Sequence, residues 1–501
     1  MLYSSLQYAA LHSPQQIAVV SSKESCTYLE LWERSNLLSQ MLLEDGIKPG
    51  ERVVILGANS IHTVIAWWAV LKCHAICVYL SESLKPSGFD FIVKDVSPSH
   101  YLCGSSLSRN LLPDDVSHIN LDTIDWSASN GLEGVSALPA DLNLIASIVY
   151  TSGSTGEPKG VCLTHKNLLS SGEMTAIGHN LTSEDRYLMV VPLHYVHGQM
   201  MLMSLTLRGG RIEFMTNFVF PTAVTKKIKD NKITCVSGVP YHIAMLINRG
   251  KLLTTELPDL RWMGITGGAM DTGKLLELTE SKPSLEIHIG YGQTECSPRI
   301  TRLDPAKVIR KPSSIGSVEP GLVVEMLDGE GMPVAEGETG ELVVSGPSVM
   351  HGYWNDPEST ATVIDDQGRL HTGDLAYRDS EGDIFIRGRC QAMIKSAGER
   401  IFPEELEAVL RLHPYIAEVA VVGEKDETYG QIVIAHVVLQ ESNDASNDEQ
   451  LKVIEGYCLD HFTFAKAPRH YQLWNEFVYK ENGKIDKQLL NYVPVTSRLV
   501  A

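Results

Sequence analysis

The sequence predicts an α/β protein in which a large N-terminal domain of α/β subdomains and a β-rich subdomain precedes a small, mobile α+β C-terminal domain. Three observations predict this class. The chain has 501 residues, more than one hydrophobic core normally organises. Short β-branched apolar runs alternate with amphipathic stretches up to about residue 300. Strand-like pieces separated by Gly, Asp and Pro turns then follow.

The first three hundred residues carry apolar runs that are typical of buried strands with helical crossovers. These runs are "RVVILG" (52–57), "LIASIVY" (144–150), "ITCVSGVP" (233–240) and "LRWMGITGGAM" (260–270). The most apolar stretch, "VIAWWAVLKCHAICVYL" (64–80), contains Lys72 and His74 and is shorter than the ~20 residues that a membrane span needs. It therefore predicts a buried helix that runs into a strand.

Residues 313–389 predict a β-rich subdomain, because "DGEG" and "SEGD" are typical of hairpin turns between strands. After residue 389 the chain predicts a small α+β unit. "FPEELEAVLRLHP" has Pro403 in a first helical turn and Glu404 and Glu405 at the positive end of the helix. "AEVAVVGEKDETYGQIVIAHVVLQ" alternates like a hairpin, and "ESNDASNDEQ" is a loop before another helix. We predict two domains, 1–388 and 389–501.

Composition limits the function classes. A net charge of −19 disfavours nucleic-acid binding, which needs a basic face against phosphates. Nine cysteines are scattered without a framework, which indicates reduced thiols. The first residues lack a basic segment followed by an apolar one, so no signal peptide is evident. We expect a cytoplasmic protein without a membrane span.

Residues 150–160, "YTSGSTGEPKG", form a loop rich in glycine and hydroxyl groups at the end of a predicted strand. Glycine permits close backbone approaches, so inward amides, hydroxyls and one lysine suit a polyphosphate. It is not a Walker A loop, which needs Gly-Lys-Ser/Thr. The alternative is a flexible surface loop, which the following apolar run "GVCL" disfavours. The candidate phosphate-binding residues are Thr151, Ser152, Gly153, Ser154, Thr155, Gly156 and Lys159.

Five motifs together resemble those of the adenylate-forming superfamily, which comprises acyl-CoA synthetases, nonribosomal-peptide adenylation domains and luciferases. They occur in family order and extend over essentially the whole chain. The motifs are "YTSGSTGEPKGV" (150–161), "ITGGAM" (265–270), "GYGQTECS" (290–297), "HTGDLAYRDSEGDIFIRGR" (371–389) and "NGKIDK" (482–487).

The resemblance implies ATP, which becomes AMP, and Mg²⁺ as cofactors. It assigns catalysis to Lys484, Thr155 and Glu295, with Glu295 also holding the metal. It implies that the remaining residues with a role in nucleotide binding are Thr151, Ser152, Gly153, Ser154, Gly156, Lys159, Gly267, Gly268, Ala269, Tyr291, Gly292, Gln293, Thr294, Asp374 and Arg389.

Each of these assignments has a structural alternative. Asp374, expected to accept both ribose hydroxyls, is otherwise a carboxylate that caps a turn. Tyr291, expected to stack on adenine, is otherwise a core residue. Arg389 is otherwise a partner in a surface ion pair. Lys484 is otherwise a solvated lysine near the C-terminus.

The reaction implied is ATP-dependent activation of a small carboxylic acid to an acyl-adenylate with release of pyrophosphate. Transfer to the phosphopantetheine thiol of a separate acyl or peptidyl carrier protein then follows; free coenzyme A is the alternative acceptor. Gln391 occupies the position where the family usually has the Asp or Lys of the hinge. A luciferase-type oxygenase and a non-catalytic nucleotide-binding regulator are alternatives from other classes. The presence of both Glu295 and Lys484 disfavours the regulator.

The segment "VVPLHYVHGQMM" (190–201) corresponds to the family's substrate pocket. His194 stands where amino-acid-activating members place an Asp, and a buried ammonium without a carboxylate is costly. The acid is therefore expected to lack a free primary α-amine, as an imino or aryl acid does. Tyr195 weakly suggests stand-alone ligases that load carrier proteins. The candidate substrate residues are His194, Tyr195, His197 and Gly238; for both histidines a structural role is nearly as plausible.

Overall fold

A computed structural model describes residues 1–21, 24–104, 111–112, 118–129, 141–152, 158–215, 218–397, 399–440, 446–479 and 485–490. The chain divides into two compact units. The first consists of Met1–Val324 and Val343–His371, and the second of Glu325–Leu342 and Thr372–Ala501. The functional boundary between residues 388 and 389 stays a prediction.

The first unit contains two sheets with helices between their strands. Its helices are α1 Leu2–His12, α2 Tyr28–Glu44, α3 Ile61–Lys72, α4 Pro86–Val96, α5 His165–Gly178, α6 Val196–Thr206, α7 Pro221–Asp230, α8 Pro240–Asn248, α9 Thr272–Ser281 and α10 Pro357–Val363. Its strands up to Met189 are β1 Ile17–Val20, β2 Ser25–Thr27, β3 Arg52–Leu56, β4 Ile76–Leu80, β5 His100–Cys103, β6 Ile119–Asn120, β7 Ile145–Ser152, β8 Pro158–Thr164 and β9 Arg186–Met189. They are followed by β10 Arg211–Phe214, β11 Cys235–Gly238, β12 Trp262–Thr266, β13 Glu286–Tyr291, β14 Thr301–Leu303 and β15 Ser317–Val318.

A nine-stranded sheet has the order β15-β14-β13-β12-β11-β9-β10-β1-β2. Its strands from β13 to β1 run parallel. A seven-stranded sheet has the order β18-β8-β7-β4-β3-β5-β6, with β18 at Gly352–Tyr353. Here β7 and β8 are antiparallel neighbours, so the predicted strands 144–150 and 160–163 form a hairpin. Parallel sheets need crossover helices, and the alternating sequence supplies them.

The apolar stretch 64–80 confirms the predicted helix that runs into a strand. Ser60 and Thr63 form a capping box at the start of α3. Trp67 and Trp68 are buried in the core, which explains why this helix is apolar on all sides. After Lys72 the chain turns through His74, whose φ of 56° lies in the left-handed region. This turn redirects the chain into β4 at some conformational cost.

The β-rich segment forms a four-stranded sheet in the order β16-β17-β19-β20. These strands are β16 Val323–Leu327, β17 Gly340–Ser345, β19 Leu370–Arg378 and β20 Ile384–Arg389. Both predicted turns are present: the N–H of Gly331 donates to the carbonyl of Asp328 at 3.1 Å, and that of Gly382 donates to Asp379 at 2.9 Å.

The C-terminal part of the second unit is α+β, as predicted. Its helices are α11 Pro403–Leu410, α12 Asn447–His461 and α13 Lys487–Leu490, and its strands are β21 Ile394–Ser396, β22 Glu399–Ile401, β23 Ile416–Asp426, β24 Gly430–Leu439 and β25 His470–Trp474. The β23–β24 hairpin is the predicted one. Pro403 starts α11, and both glutamates lie in its first turn. Among the described helices of the chain, none is long and apolar enough to cross a membrane.

Candidate active site

The predicted substrate residues, and the nucleotide residues 267–269 and 291–295, lie at one edge of the nine-stranded sheet. Strands β9, β11, β12 and β13 are parallel neighbours, so their carboxyl ends share this edge. Ligands of open α/β sheets bind in the crevice outside these ends. The chain there supplies the segments that follow each strand, namely residues 190–195, 239, 267–269 and 292–295. The fold thus brings together segments that are far apart in sequence.

The Gly267–Ala269 segment is exposed directly after β12. Gly267 has a φ of +82°, which favours glycine, and a Cβ on Gly268 would have Pro240 as its nearest neighbour at 3.6 Å. The backbone here is open to a flat ligand. Gly292 differs, because a Cβ there would lie 1.5 Å from the carbonyl oxygen of Pro298. Internal packing is therefore sufficient to require glycine at position 292.

Tyr291 is the last residue of β13 and is half-buried. Its carbonyl accepts a hydrogen bond from the N–H of Ile300 at 3.0 Å, which fixes the backbone at the strand end. Gln293 and Thr294 follow and are half-buried, and a 3₁₀ turn over Thr294–Cys296 carries Glu295. This turn directs Glu295 back towards the β7–β8 hairpin.

The predicted phosphate-binding segment connects the two strands of that hairpin in the sequence. Thr151 pairs with Lys159, and the Ser152 backbone pairs with Pro158, so the two stems fix where the loop starts and ends. Gly153, Ser154, Thr155 and Gly156 lie outside the described residues, as does Lys484. Their roles stay predictions.

Tyr353 connects the two charged residues predicted for catalysis and phosphate binding. Its hydroxyl donates to the Glu295 Oε1 at 2.9 Å, and its ring centroid lies 5.0 Å from the Lys159 Nζ. Burial and the Glu295 carboxylate raise the pKa of Tyr353, which keeps the hydroxyl protonated as a donor. The Lys159 Nζ also donates to the Ser359 Oγ at 2.7 Å.

Sequence reasoning missed Tyr353 and Ser359. They come from the chain after residue 350, where β18 adds antiparallel to β8 through the Gly352–Cys162 and Tyr353–Val161 pairs. A two-residue strand is too short to show the alternating hydrophobic pattern from which a strand is predicted. Tertiary structure alone brings Tyr353 to the site.

The predicted substrate residues cluster around the ends of β9 and β11. The His194 ring lies 4.3 Å from that of Tyr195 and 6.5 Å from that of Tyr79. The His197 Nε2 lies 2.7 Å from the Ser237 Oγ, next to Gly238. The structure therefore places all four predicted substrate residues near one another at this strand edge.

Two more residues belong to this cluster and were not predicted. The Ser237 Oγ lies 2.6 Å from the Tyr187 hydroxyl as well as bonding His197, so a hydrogen-bonded chain runs through it. The His242 ring lies 4.6 Å from the Phe218 ring, and a Cβ on Gly238 would lie 3.0 Å from the His242 Cβ. A serine inside an apolar strand and a histidine in a helix gave no distinguishing signal.

Burial keeps these histidines neutral at pH 7. It lowers the pKa of His194 to about 4 and that of His242 to about 4. It lowers the pKa of His197 to about 3, with a smaller contribution from the Arg299 guanidinium. Burial disfavours the charged form of an imidazole, and the neutral ring can still make hydrogen bonds. The cluster is thus polar and aromatic without a fixed charge on its imidazoles.

In the second unit, Asp374 and Arg389 are cross-strand partners on β19 and β20. The Arg389 Nε lies 2.9 Å from the Asp374 Oδ1, and the Asp374 side chain is 7% exposed whereas that of Arg389 is 59% exposed. The ion pair considered as the alternative for Arg389 is therefore present. The exposed guanidinium still has surface available for a ligand. Gln391 is exposed in the turn that follows β20.

The residues present fit a magnesium-bound nucleotide. Over the described ranges, no group of three or more His, Cys, Asp or Glu side chains is placed to hold a metal ion. Magnesium normally takes one or two carboxylates and completes its shell with water and substrate phosphates. A single carboxylate such as Glu295, which contacts the same tyrosine as Lys159, is consistent with that coordination.

Comparison with known proteins agrees with this geometry. A family model described as AMP-binding enzyme matches residues 6–354, and one for the AMP-binding enzyme C-terminal domain matches residues 405–484. A feruloyl-CoA synthase from an Amycolatopsis species is 32% identical over 483 residues, covering 95% of each chain. The 2-succinylbenzoate–CoA ligase of Geobacillus kaustophilus is 29% identical, covering 98% of each chain.

Solved structures confirm the fold class. The o-succinylbenzoate coenzyme A synthetase of Bacillus subtilis, in complex with its acyl-adenylate intermediate, is 26% identical with a TM-score of 0.87 over 98% of each chain. The same enzyme with ATP and a magnesium ion gives a TM-score of 0.83, covering 97% of this chain and 99% of that one. The fold, the strand-end site and both family models lead to one conclusion: this chain belongs to the AMP-binding enzymes, the adenylate-forming ligases that its motifs resemble.

Proposed function

We propose that the protein is an acid–coenzyme A ligase that uses ATP and Mg²⁺. A carboxylate oxygen attacks the α-phosphorus of ATP, the bond from that phosphorus to the bridging oxygen breaks, and pyrophosphate leaves. The thiolate of coenzyme A then attacks the acyl carbon and AMP leaves, so that a thioester results. The observation that carries this proposal is the Lys159–Tyr353–Glu295 arrangement beside the carboxyl ends of β11–β13.

The side chains have distinct roles in this reaction. Charge develops on phosphoryl oxygens, so fixed donors and cations supply most of the catalysis. Lys159 and the loop residues from Thr151 to Gly156 hold the β and γ phosphates, and Glu295 holds Mg²⁺. Asp374 and Arg389 bind the ribose, while Tyr291 and residues 267–269 contact the adenine. Lys484 offsets charge on the reacting carboxylate and the α-phosphate.

The sequence alone left two interpretations of which thiol accepts the acyl group. Transfer to a separate carrier protein was the first reading, with coenzyme A as the alternative. The two relatives reported above are named as a CoA synthase and a CoA ligase, and these names support the alternative. We therefore propose coenzyme A as the acceptor. His194 in place of an acidic residue supports an acid without a primary α-amine.

The test is ATP–pyrophosphate exchange driven by a broad panel of carboxylic acids, followed by thioester formation with coenzyme A or with a phosphopantetheinylated carrier protein. We expect exchange with at least one acid, and thioester with coenzyme A. Lys484→Ala is expected to reduce exchange by about a thousandfold, in the range for loss of one fixed transition-state charge. It should leave ATP binding, measured by calorimetry, largely intact.

Lys480→Ala is the matched control, because it removes the same charge four residues earlier in the sequence. Equal exchange in the Lys484→Ala variant and the wild type would remove Lys484 from the mechanism. Thioester formation on the carrier protein, with none on coenzyme A, would restore the first reading of the acceptor. Failure of every acid to drive exchange would contradict the proposed activity itself.

A further inference from the structure

The predicted substrate pocket, at the carboxyl ends of β9 and β11, contains a cluster of rings. His194, Tyr195, His197 and His242 all lie at this edge, with Phe218 against His242 at 4.6 Å. Aromatic and imidazole rings offer flat apolar faces, which pair best with another flat ring. The shape of these contacts favours a planar acid over a branched or flexible one.

Two of these histidines, His194 and His242, lack nearby charges, whereas His197 also feels the buried Arg299 guanidinium. For His194 and His242, burial alone lowers the pKa, and no charged side chain among the described residues adds to the effect. An ammonium on the substrate would therefore be desolvated here without a carboxylate partner. A second carboxylate beside His194 or His242 would be desolvated without a cation. Both situations are costly.

Exposed apolar side chains next to the ring cluster also favour an uncharged acid. Three large apolar side chains, Val219, Phe220 and Tyr241, are 70%, 66% and 53% exposed in the chain positions next to Phe218 and His242. The Tyr241 ring lies 5.9 Å from the His242 ring. Exposed apolar groups beside a concave site are typical of ligand-binding surfaces. Such a surface accommodates a ligand that carries no charge apart from its reacting carboxylate.

One polar group in the pocket is oriented by the backbone. The N–H of Val239 points at the His242 Nδ1 at 3.4 Å, so that atom is the acceptor and the proton of the neutral ring resides on Nε2. Nε2–H is therefore a neutral donor. Ser237 differs, because its hydroxyl is already shared between Tyr187 and His197.

We propose that this enzyme selects planar aryl acids whose body is uncharged and carries an oxygen acceptor, and that His242 determines this specificity by donating from Nε2 to that oxygen. The proposal rests on the proposed function and narrows its substrate class. His242 acts on binding and positioning of the acid, not on the reacting phosphorus.

The test compares four acids of similar size in pyrophosphate exchange: 4-hydroxycinnamic acid, cinnamic acid, 4-carboxycinnamic acid and phenylalanine. We expect 4-hydroxycinnamic acid to have the highest kcat/KM, about tenfold above cinnamic acid for one neutral hydrogen bond. The two acids with an extra charge should be the poorest substrates. Preference for either of those two would overturn the proposal.

Variants separate the role of His242 from general packing. His242→Phe keeps a ring against Phe218 and removes the donor, so the ratio of kcat/KM for the hydroxylated and plain acids should fall to about one. His242→Gln keeps an N–H donor and should retain part of the ratio even if it lowers stability. His12→Phe is the matched control, because His12 is exposed and contacts Tyr8 at 3.9 Å between ring centroids.

Three failures are distinguishable. An unchanged ratio in His242→Phe overturns the role of His242. If acids drive exchange but charged ones are preferred, the pocket inference fails while the ligase activity stands. If no acid drives exchange, the proposed function fails and this inference with it.

Discussion

At the scale of single residues, Tyr353 is the group that places two charges of opposite sign at one site. Its hydroxyl holds one oxygen of the Glu295 carboxylate, and its ring face lies below the Lys159 ammonium. A metal ion bound to Glu295 would use the remaining carboxylate lone pairs. Tyr353 therefore orients both residues without contacting the reacting atoms.

Tyr353→Phe tests this role, because it keeps the ring beneath Lys159 and removes the hydrogen bond to Glu295. We expect kcat/KM for ATP in pyrophosphate exchange to fall about tenfold, the size expected for one hydrogen bond to a charged group. The fall should be larger at low magnesium concentration, since the released carboxylate holds the ion less well. Steady-state kinetics across a magnesium titration measures both effects.

Tyr8→Phe is the matched control, since Tyr8 is 60% exposed. It should leave kcat/KM and the magnesium dependence at wild-type values. A Tyr353→Phe enzyme that behaves like Tyr8→Phe would show that Glu295 is positioned without this hydroxyl.

At the scale of elements, helix α5 fixes the segment 347–350, which is hydrogen-bonded to the backbone of Glu295. Thr164 and Asn167 form a capping box at the start of α5. The Asn167 Nδ2 also donates to the carbonyls of Pro347 and Val349, at 2.8 and 2.7 Å. The next residue, Met350, donates its N–H to the Glu295 carbonyl at 2.9 Å. One side chain thus links the helix cap to the site.

Asn167→Ala should therefore destabilise the protein and loosen the site together. It removes the cap bond to Thr164 and leaves two half-buried carbonyls without their donor, which together cost about 2 to 3 kcal/mol in the free energy of unfolding. Urea unfolding measures this. KM for ATP should rise in the folded variant, because residues 347–350 no longer hold Glu295.

Two controls separate the effects. Thr164→Ala removes one cap bond and should cost about 1 kcal/mol without raising KM. Asn143→Ala alters an exposed position and should stay within about 0.5 kcal/mol of the wild type. An Asn167→Ala variant as stable as Asn143→Ala would contradict the proposed link.

Local patterns were enough to predict several elements. The apolar stretch 64–80, the hairpin around the phosphate loop and the helix at Pro403 each have a period or a cap that is readable within a few residues. The family motifs were readable for the same reason. The motifs at 150–161, 265–270 and 290–297 each begin in the last residues of a strand, where backbone geometry and chemistry must coincide.

Contacts between distant segments were not predictable from the same patterns. The order β11-β9-β10-β1 joins strands that are not consecutive, and the hydrophobic period of a strand does not specify its neighbour. Tyr353, Ser237 and His242 reach the site through such pairings. Nothing in the residue types themselves separates His242 from a core histidine.

At the scale of the whole molecule, buried neutral histidines are concentrated in the first unit. Burial lowers the pKa of seven of them below its usual value near 6.5, in five cases to about 3 or 4. They are His74, His165, His179, His194, His197, His242 and His288. In the described part of the second unit, burial lowers the pKa of His436 to about 4 and shifts that of His413 in the same direction. The two units should therefore respond differently to acid.

The sign of the effect follows from proton binding. Between pH 6.5 and about 4 the unfolded chain binds protons at these histidines and the folded first unit does not, so folding stability is complete above pH 6.5 and falls as the pH falls. Each histidine contributes up to about 1.4 kcal/mol per pH unit in this window. Hydrogen exchange followed by mass spectrometry, corrected for intrinsic rates, should show the protection of first-unit peptides falling between pH 6.5 and 5, before most carboxylates protonate. Peptides of the second unit should change less, and His288→Gln should reduce the slope in the first unit. Equal pH slopes in the two units would show that these histidines do not control acid stability.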